Sequence, residues 1–260
     1  MLLGLTEPTG GEAKVFGLRP PGDSLKIKRI TGYLPENLGF YEDLSARENL
    51  WYIAELNGIP KGKAEKLIDE ALRRVGLFDV SERPAGTFSR GMKQRLGLAE
   101  VLIKEPRLAI LDEPTAGIDP EGASHILGLI EELNRERGIT FIISSHLLYQ
   151  VQRICHRVGI MSKGRLIACG TVPELGEKIF GRGITVEVET RPDERLMDAL
   201  KSLEGVKNIA REEYKVYIRS EGDIRDIVAR KIYDMGYPVY GLRLIEHALE
   251  EIYLRYFGEG

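Results

Sequence analysis

The chain contains 260 residues, of which 43% are hydrophobic and 30% are charged. This composition is typical of a globular protein with a buried core, and the length suits one sizeable domain and a small second one. The 37 basic and 40 acidic side chains give a formal charge of -3, so there is no basic excess to neutralise nucleic-acid phosphates. We therefore expect no nucleic-acid partner.

Cysteine usage and hydropathy argue against two further classes. Cys155 and Cys169 do not form a CxxC pair, and their irregular spacing from His146 and His156 favours buried thiols and an unrelated histidine over a metal site. The apolar runs are far shorter than the roughly 18 residues of a membrane helix. The first residues also do not show the basic, apolar and small-residue segments that follow one another in a signal peptide. We expect a protein of a reducing compartment, peripheral if it works at a membrane.

Helical signals dominate residues 45–105. The segment SARE predicts a capping box between Ser45 and Glu48 at the start of a helix. Apolar residues then recur with the helical period over residues 63–75, and Gly76 is a candidate C-cap. We expect a mostly helical segment here.

From residue 107 onward, short apolar strands alternate with helices in βαβ order, which predicts a buried parallel sheet. The expected elements are a strand at LAILD, a helix at 121–137, a strand at ITFIISS, a helix at 149–157 and a strand pair within RVGIMSKGRLIACG. The composition turns glycine-rich at 176–183. Strands at ITVEVET, YKVYIR and VYGLRL, each followed by a helix, come next. We predict an α/β domain over residues 1–178 and an α+β domain over residues 184–260.

Two adjacent acids, Asp112 and Glu113, end the strand LAILD. Ligands of open parallel sheets bind at the carboxyl ends of strands, so Asp112 is expected where Mg2+ on a nucleotide is held. Phosphoryl transfer needs charge neutralisation and an oriented nucleophile, and Glu113 could polarise the attacking water. Taken alone, the segment is interpreted equally well as a strand that ends in a polar turn without a metal or catalytic role.

The segment FSRGMKQR at 88–95 opens an apolar-periodic helix with Ser89 as its expected N-cap. A helix N-terminus offers free backbone N–H groups and a partial positive charge, and Gly91 lets a phosphate approach the backbone closely. The pattern predicts an anion site, although in isolation an ordinary capped helix would be favoured.

Three further features fall in order along the chain. The segment AGID at 116–119 follows the acidic pair, and His146 ends the predicted strand at 139–145. Glu36 follows a strand within GYLPEN. The imidazole is thereby expected at the same sheet edge as the acids, and Glu36 could reach metal or water. A lone histidine is usually structural.

Together these residues resemble the ABC ATPase family over roughly residues 1–175. By this resemblance, RGMKQ within FSRGMKQ matches the signature motif, LAILDE the Walker B motif, AGID the D-loop and His146 the switch histidine. The fold implied is a P-loop NTPase-like sheet-and-helix core with a helical subdomain at about 45–105. The C-terminal part resembles the accessory α+β domain of drug-exporter-type members.

The resemblance implies a composite site between two cassettes stacked head to tail, with ATP and Mg2+ between them. Its implied residues are Glu113 and His146 for catalysis, Asp112 and Glu36 for Mg2+, and Ser89, Arg90, Gly91, Met92 and Asp119 for the nucleotide. The implied partners are a membrane-spanning permease, contacted through residues 40–49, and a second cassette in a homo- or heterodimer. The implied location is cytoplasmic, peripheral on the inner face of the cell membrane.

The signature departs from the usual LSGGQ at Phe88, Arg90 and Met92, and Glu36 stands where the family usually has glutamine. Such variants resemble those of drug- or polysaccharide-exporter cassettes. The resemblance therefore favours an exporter.

The Walker A motif GxxxxGK[ST] is not found in the sequence. Displaced candidates at 58–63 and 176–182 lack the spacing, the lysine or the hydroxyl. Residues 1–5 resemble the last turn of a helix, and short strands and turns are expected after them to about residue 33. By similarity, the first 12 residues lie in and just after the P-loop helix. We expect an N-terminally truncated ATPase cassette. The alternative is a degenerate cassette that acts as a non-hydrolysing partner or regulatory module. A cassette of translation or chromosome maintenance is disfavoured, because no tandem cassette or coiled-coil arm is visible.

Overall fold

The structure, a computed structural model, describes residues 1–180, 183–245 and 249–257. It divides into two compact units, Met1–Leu147 and Leu148–Gly260. The domain boundary expected between residues 178 and 184 stays a prediction. No helix within the described ranges is both long and apolar enough to cross a membrane.

The first unit combines helices with a parallel sheet. Its elements are α1 Ser24–Arg29, β1 Thr31–Leu34, α2 Ala46–Leu56, α3 Lys61–Arg74, α4 Arg90–Leu102, β2 Leu108–Asp112, α5 Pro120–Arg137 and β3 Thr140–Ser144. The strands lie in the order β1-β2-β3 and all pair in parallel. The register sets Leu34 beside Leu111 and Asp112 beside Ser144, so the strands end at one edge.

Helix α4 lies so close to strand β1 that a side chain at Gly32 or at Gly97 would clash with the facing element. A methyl group built on Gly32 of β1 would lie 2.5 Å from Val101 of α4. One built on Gly97 of α4 would lie 2.5 Å from Leu34 and 2.9 Å from Leu38. The glycines therefore let the Val101 and Leu34 side chains pack directly against the backbone of the facing element.

The helical segment forms as predicted, with specific caps. The Ser45 hydroxyl accepts from Glu48 N at 3.2 Å, and the Glu48 carboxylate accepts from Ser45 N at 2.7 Å, which completes the expected capping box. At the end of α3, Gly76 has φ 65° and donates to Arg73 O. The next residue, Leu77, donates to Leu72 O, so Gly76 is the C-terminal cap of a Schellman motif.

Two expectations at the start of the chain are wrong. Residues 1–5 contain a turn, in which Gly4 N donates to Met1 O at 2.8 Å, and not the end of a helix. The segment before β1 contains helix α1 where strands and turns were expected. Ile27 of this helix is completely buried, so tertiary packing stabilises a helix too short to be stable alone.

The second unit is mixed α/β with antiparallel pairing throughout. Its elements are α6 Leu148–Ile154, β4 Val158–Ser162, β5 Arg165–Gly170, α7 Val172–Phe180, β6 Ile184–Glu189, α8 Glu194–Lys201, β7 Val206–Glu212, β8 Lys215–Ser220, α9 Arg225–Asp234, β9 Gly241–Ile245 and α10 Leu249–Phe257. Strands β4 and β5 form the predicted pair, and the other strands lie in the order β7-β8-β6-β9. Strand β7 was not predicted.

Two hydrophobic clusters hold this unit together. One cluster lies between the β6–β9 sheet and the helices α8 and α9. The other joins β4, β5 and α7 with the C-terminal helix α10, whose Leu249 and Ile252 are buried. Leu249 N also donates to the Gln152 side chain of α6 at 2.7 Å. The last helix therefore completes the core around the strand pair.

The sequence predicted a core-facing helix at 247–257. The burial of Leu249 and Ile252 agrees with this, whereas Tyr253 is 37% exposed. His247 lies outside the described residues.

Helix α4 contains a partly buried acid, Glu100. Burial raises the pKa of Glu100 to about 7. Lys104 lies one turn later, and its amine donates to the backbone oxygens of Lys28 and Thr31, while burial lowers its pKa. Lys104 therefore ties the end of α4 to the segment that leads into β1.

We expect Glu100 to make stability fall as pH rises. An unfolded glutamate loses its proton near pH ~4.3, whereas folded Glu100 keeps it to about pH 7, so the folded state binds the extra proton between these values. Relative to the parent, the free energy of unfolding of Glu100→Gln in urea should therefore rise by about 3–4 kcal/mol between about pH 4 and pH 8. Glu121→Gln, at an exposed position, should differ from the parent by the same free energy of unfolding at each pH. An equal pH slope in the Glu100→Gln variant and the parent would contradict this.

A second prediction concerns helix α10. Ile252 is 0% exposed, so Ile252→Ala should lower the free energy of unfolding by about 2–5 kcal/mol. Leu254 on the same helix is 66% exposed, and Leu254→Ala should change it by less than about 0.5 kcal/mol. Chemical denaturation of both variants measures the contrast, and equal losses would rule out the packing described for α10.

Candidate functional site

The carboxyl ends of the parallel strands carry the residues singled out in the sequence. Asp112 ends β2 and Glu113 follows it, while Glu36 and His146 each lie two residues beyond the ends of β1 and β3. Since the strands are parallel and in register, these side chains belong to one sheet edge. Open parallel sheets bind ligands at this edge.

Glu113 and His146 form a close pair. The Glu113 Oε1 atom accepts a hydrogen bond from the His146 backbone N–H at 2.9 Å, and His146 Nδ1 lies 2.9 Å from the same oxygen. The Ser145 hydroxyl reaches the other oxygen, Oε2, at 3.5 Å. The Glu113 side chain is 17% exposed and the His146 side chain 69%. Oε1 is therefore held in place, while Oε2 has spare capacity to accept a proton.

The backbone at Glu113 is unusual. Its φ of 47° lies in the left-handed region, which a residue with a side chain rarely adopts. Glu113 N still donates to Ser144 O at 3.0 Å, so β3 pairs with the chain one residue beyond Asp112. The turn and this bond together direct the Glu113 carboxylate toward residues 145 and 146.

Asp112 has a different environment. One of its oxygens, Oδ1, accepts a hydrogen bond from the Ser144 hydroxyl on the neighbouring strand. Its other oxygen and the exposed Glu36 carboxylate are hard oxygen donors of the kind that Mg2+ prefers. No group of three or more His, Cys, Asp or Glu side chains among the described residues could hold a metal by itself.

The predicted anion-binding helix begins as expected. Ser89 is the N-cap of α4, and its hydroxyl accepts from Met92 N at 3.3 Å. Gly91 lies next to the D-loop segment, since a methyl group built on it would be 3.4 Å from Ile118. The N-terminus of α4 and the segment AGID therefore lie side by side.

Arg90 extends this contact. A methyl group built on Gly117 would lie 2.5 Å from Cζ, 2.6 Å from Nη1 and 2.7 Å from Nε of Arg90. Gly117 has φ 68°, a conformation that suits glycine. Asp119, at the end of the same segment, is the N-cap of α5, and its carboxylate accepts from Gly122 N at 3.2 Å.

The structure thus forms two groupings from the predicted residues. Strand ends bring together Asp112, Glu113 and His146 with Glu36 at the same edge, and the start of α4 meets residues 117–119. Sequence reasoning missed Ser144 and Ser145, whose hydroxyls bond the two acids. Their position directly before His146, at the end of a predicted strand, was the available signal.

The sequence matches a family model described as ABC transporter over residues 1–116. It is 34% identical over 218 residues to the linearmycin resistance ATP-binding protein LnrL of Bacillus subtilis, covering 84% of this chain and 70% of LnrL. It is 46% identical over 167 residues to the bacitracin transport ATP-binding protein BcrA of Bacillus licheniformis, covering 64% of this chain and 54% of BcrA. The chain therefore spans about half the length of BcrA.

Among solved structures, the fold is similar to cbiO1 from Clostridium perfringens, described as part of the ABC transporter complex cbiONQ. The TM-score is 0.60 at 30% sequence identity, with 69% of this chain and 71% of that chain covered. This likeness confirms the predicted fold class.

Proposed function

This chain belongs to the ABC transporter family of ATP-binding proteins, and we propose that it is the subunit that binds and hydrolyses ATP to power an exporter. The observation that carries the proposal is the hydrogen-bonded pair of Glu113 and His146 at the sheet edge that also holds Asp112. Phosphoryl transfer depends mainly on positioning and electrostatics, and this edge offers a group for each requirement.

Glu113 acts as the general base. Its Oε1 atom is fixed by the backbone and imidazole of His146, which leaves Oε2 to accept a proton from the attacking water. With Nδ1 directed to Glu113, the His146 ring presents Nε2 outward, where it contacts the γ-phosphate. The pair thereby orients the nucleophile against the group it attacks.

Asp112 and Glu36 support Mg2+ on the nucleotide. The Ser144 hydroxyl orients Asp112 through Oδ1 and leaves Oδ2 for the ion, and Glu36 supplies a second carboxylate from the neighbouring strand end. The ion would neutralise charge on the phosphates. The remaining ligands would be water and phosphate oxygens.

The other grouping serves the partner cassette's nucleotide. The start of α4 contributes Ser89, Arg90, Gly91 and Met92, and Asp119 couples the two sites. A helix N-terminus and a glycine that lets a phosphate approach are suited to an anionic ligand. We infer a head-to-tail pair of cassettes, homodimeric or heterodimeric.

The membrane partner is a permease contacted through residues 40–49, with the chain on the cytoplasmic side of the cell membrane. In this segment Asn49 holds a turn, donating to Tyr41 O at 3.1 Å and accepting from Tyr41 N at 2.9 Å. Tyr41 is 53% exposed and stacks edge-on against Tyr52, so the turn presents a fixed aromatic surface. LnrL is named for linearmycin resistance and BcrA for bacitracin transport, which favours export as the direction.

The second candidate function is a cassette that lends the start of α4 to a partner's nucleotide without hydrolysing its own. This function does not require the motif GxxxxGK[ST], which these 260 residues do not contain. The hydrogen-bonded Glu113 and His146 favour hydrolysis, since a module that only lends α4 has no use for them.

We expect Glu113→Gln in the assembled transporter to lower the rate of ATP hydrolysis about 10²–10⁴-fold, because an amide cannot accept the proton of water. ATP binding should persist, since the shape is retained. Glu121→Gln, at an exposed position in the first turn of α5, should leave the rate unchanged. Release of phosphate measures the rate, and undiminished hydrolysis by Glu113→Gln would refute the proposed base.

Nucleotide binding tests the role given to the start of α4. Alone, the 260-residue chain should bind ATP weakly, because its sequence has no Walker A backbone and lysine to cradle the phosphates. In the presence of a cassette that contains a complete Walker A motif, the chain should raise that cassette's affinity for ATP, and Ser89→Ala should weaken this gain. Equilibrium dialysis measures both affinities, and tight ATP binding by the chain alone would contradict the expectation.

A further inference from the structure

Arg90 and Gly117 belong to different elements that meet at the start of α4. Arg90 is the first residue of the helix, and Gly117 lies in the loop between β2 and α5. The space that a side chain at residue 117 would need is filled by the guanidinium group of Arg90.

The distances define how the two residues meet. A methyl group built on Gly117 would be 2.5, 2.6 and 2.7 Å from Cζ, Nη1 and Nε of Arg90. Since these values are nearly equal, the position lies over the face of the guanidinium group and not beside its edge. Arg90 therefore packs flat on the glycine backbone, and its N–H edge remains directed away from it.

The loop needs such support. Within the loop, Ala116 N donates to Glu113 O at 3.1 Å, whereas the bond from Ile118 N to Thr115 O is long at 3.4 Å. Ile118 adds a second contact with the start of α4, through Gly91. Thr115 is buried but Gly117 and Asp119 are exposed, and exposed backbone opens easily, so a rigid planar group packed on Gly117 reduces the freedom of the loop.

We propose that Arg90 is a positioning residue that holds the loop at residues 116–119 against the start of α4, so that the two segments present one fixed surface. The role belongs to the guanidinium plane and not to its charge. The proposal rests on the proposed function in one respect, because these two segments are the ones offered to the partner's nucleotide.

Amide hydrogen exchange on the chain tests the contact without any nucleotide. Arg90→Ala removes the guanidinium group and keeps a good helix former, and it should speed exchange of the Ala116 and Ile118 amides about tenfold. Arg90→Lys keeps the positive charge but lacks the planar guanidinium group, so it should speed exchange of these amides as much as Arg90→Ala does. Unchanged exchange in Arg90→Ala, or parental exchange in Arg90→Lys, would overturn the proposal.

Gly117→Ala tests the contact from the other side. It introduces strain at a positive φ and displaces the guanidinium group. Gly138→Ala is the matched control for strain alone, since Gly138 has φ 64° and nothing within 4 Å of an added methyl. In the parent, Gly117→Ala should lower the urea midpoint more than Gly138→Ala does. In the Arg90→Ala background, which lacks the guanidinium group, Gly117→Ala should lower the midpoint only as much as Gly138→Ala does. An equal effect of Gly117→Ala in both backgrounds would count against the packing.

The assembled transporter tests the consequence for hydrolysis. Asp119→Asn keeps an N-cap for α5 while changing the end of the loop. If Arg90 acts through this loop, Arg90→Ala should lower kcat severalfold in the parent and have no further effect in Asp119→Asn. If Arg90→Ala lowers kcat by the same factor in Asp119→Asn as in the parent, Arg90 acts elsewhere. If Glu113→Gln retains hydrolysis, the proposed function fails while the exchange result still decides the contact.

Discussion

The close packing of α4 on β1 is the constraint on which the arrangement of the first unit depends. Gly32 faces Val101 across this interface and Gly97 faces Leu34, with distances that leave no room for an added methyl group. Such packing has little slack, because interiors are as dense as organic crystals. The start of α4 and the loop after β1 therefore keep a fixed relation, and Lys104 strengthens it at the opposite end of the helix.

The parallel sheet positions the acids Asp112 and Glu113. Each strand ends where its neighbour ends, which turns residues that are distant in the chain into neighbours at one edge. At that edge the left-handed turn at Glu113 and the bond to Ser144 O fix the carboxylate before any ligand arrives. Preorganisation of this kind is what a reaction controlled by positioning requires.

The described strands of the second unit pair antiparallel, and its elements were harder to predict from the sequence. Strand β7 was missed because VKNIARE has weak alternation, and its pairing with β8 includes a register shift between Val206 and Asn208. Position beside β8 decides its conformation more than local preference does. Helix α7 was not predicted either, although Thr171 and Glu174 form the reciprocal hydrogen bonds of a capping box, whose sequence signal was available.

The sequence by itself determined the features that depend on local chemistry: the caps at Ser45 and Ser89, the glycine stop at Gly76, the strand before Asp112 and the order of the family's motifs. Periodicity and capping are properties of neighbouring residues, so they can be recognised along the chain. The tertiary structure alone decided the serines that bond the two acids, the helix before β1, the burial of Glu100 and the face of Arg90 on Gly117. Each of these is a contact between segments far apart in sequence, and no local preference specifies which distant surface a side chain will meet.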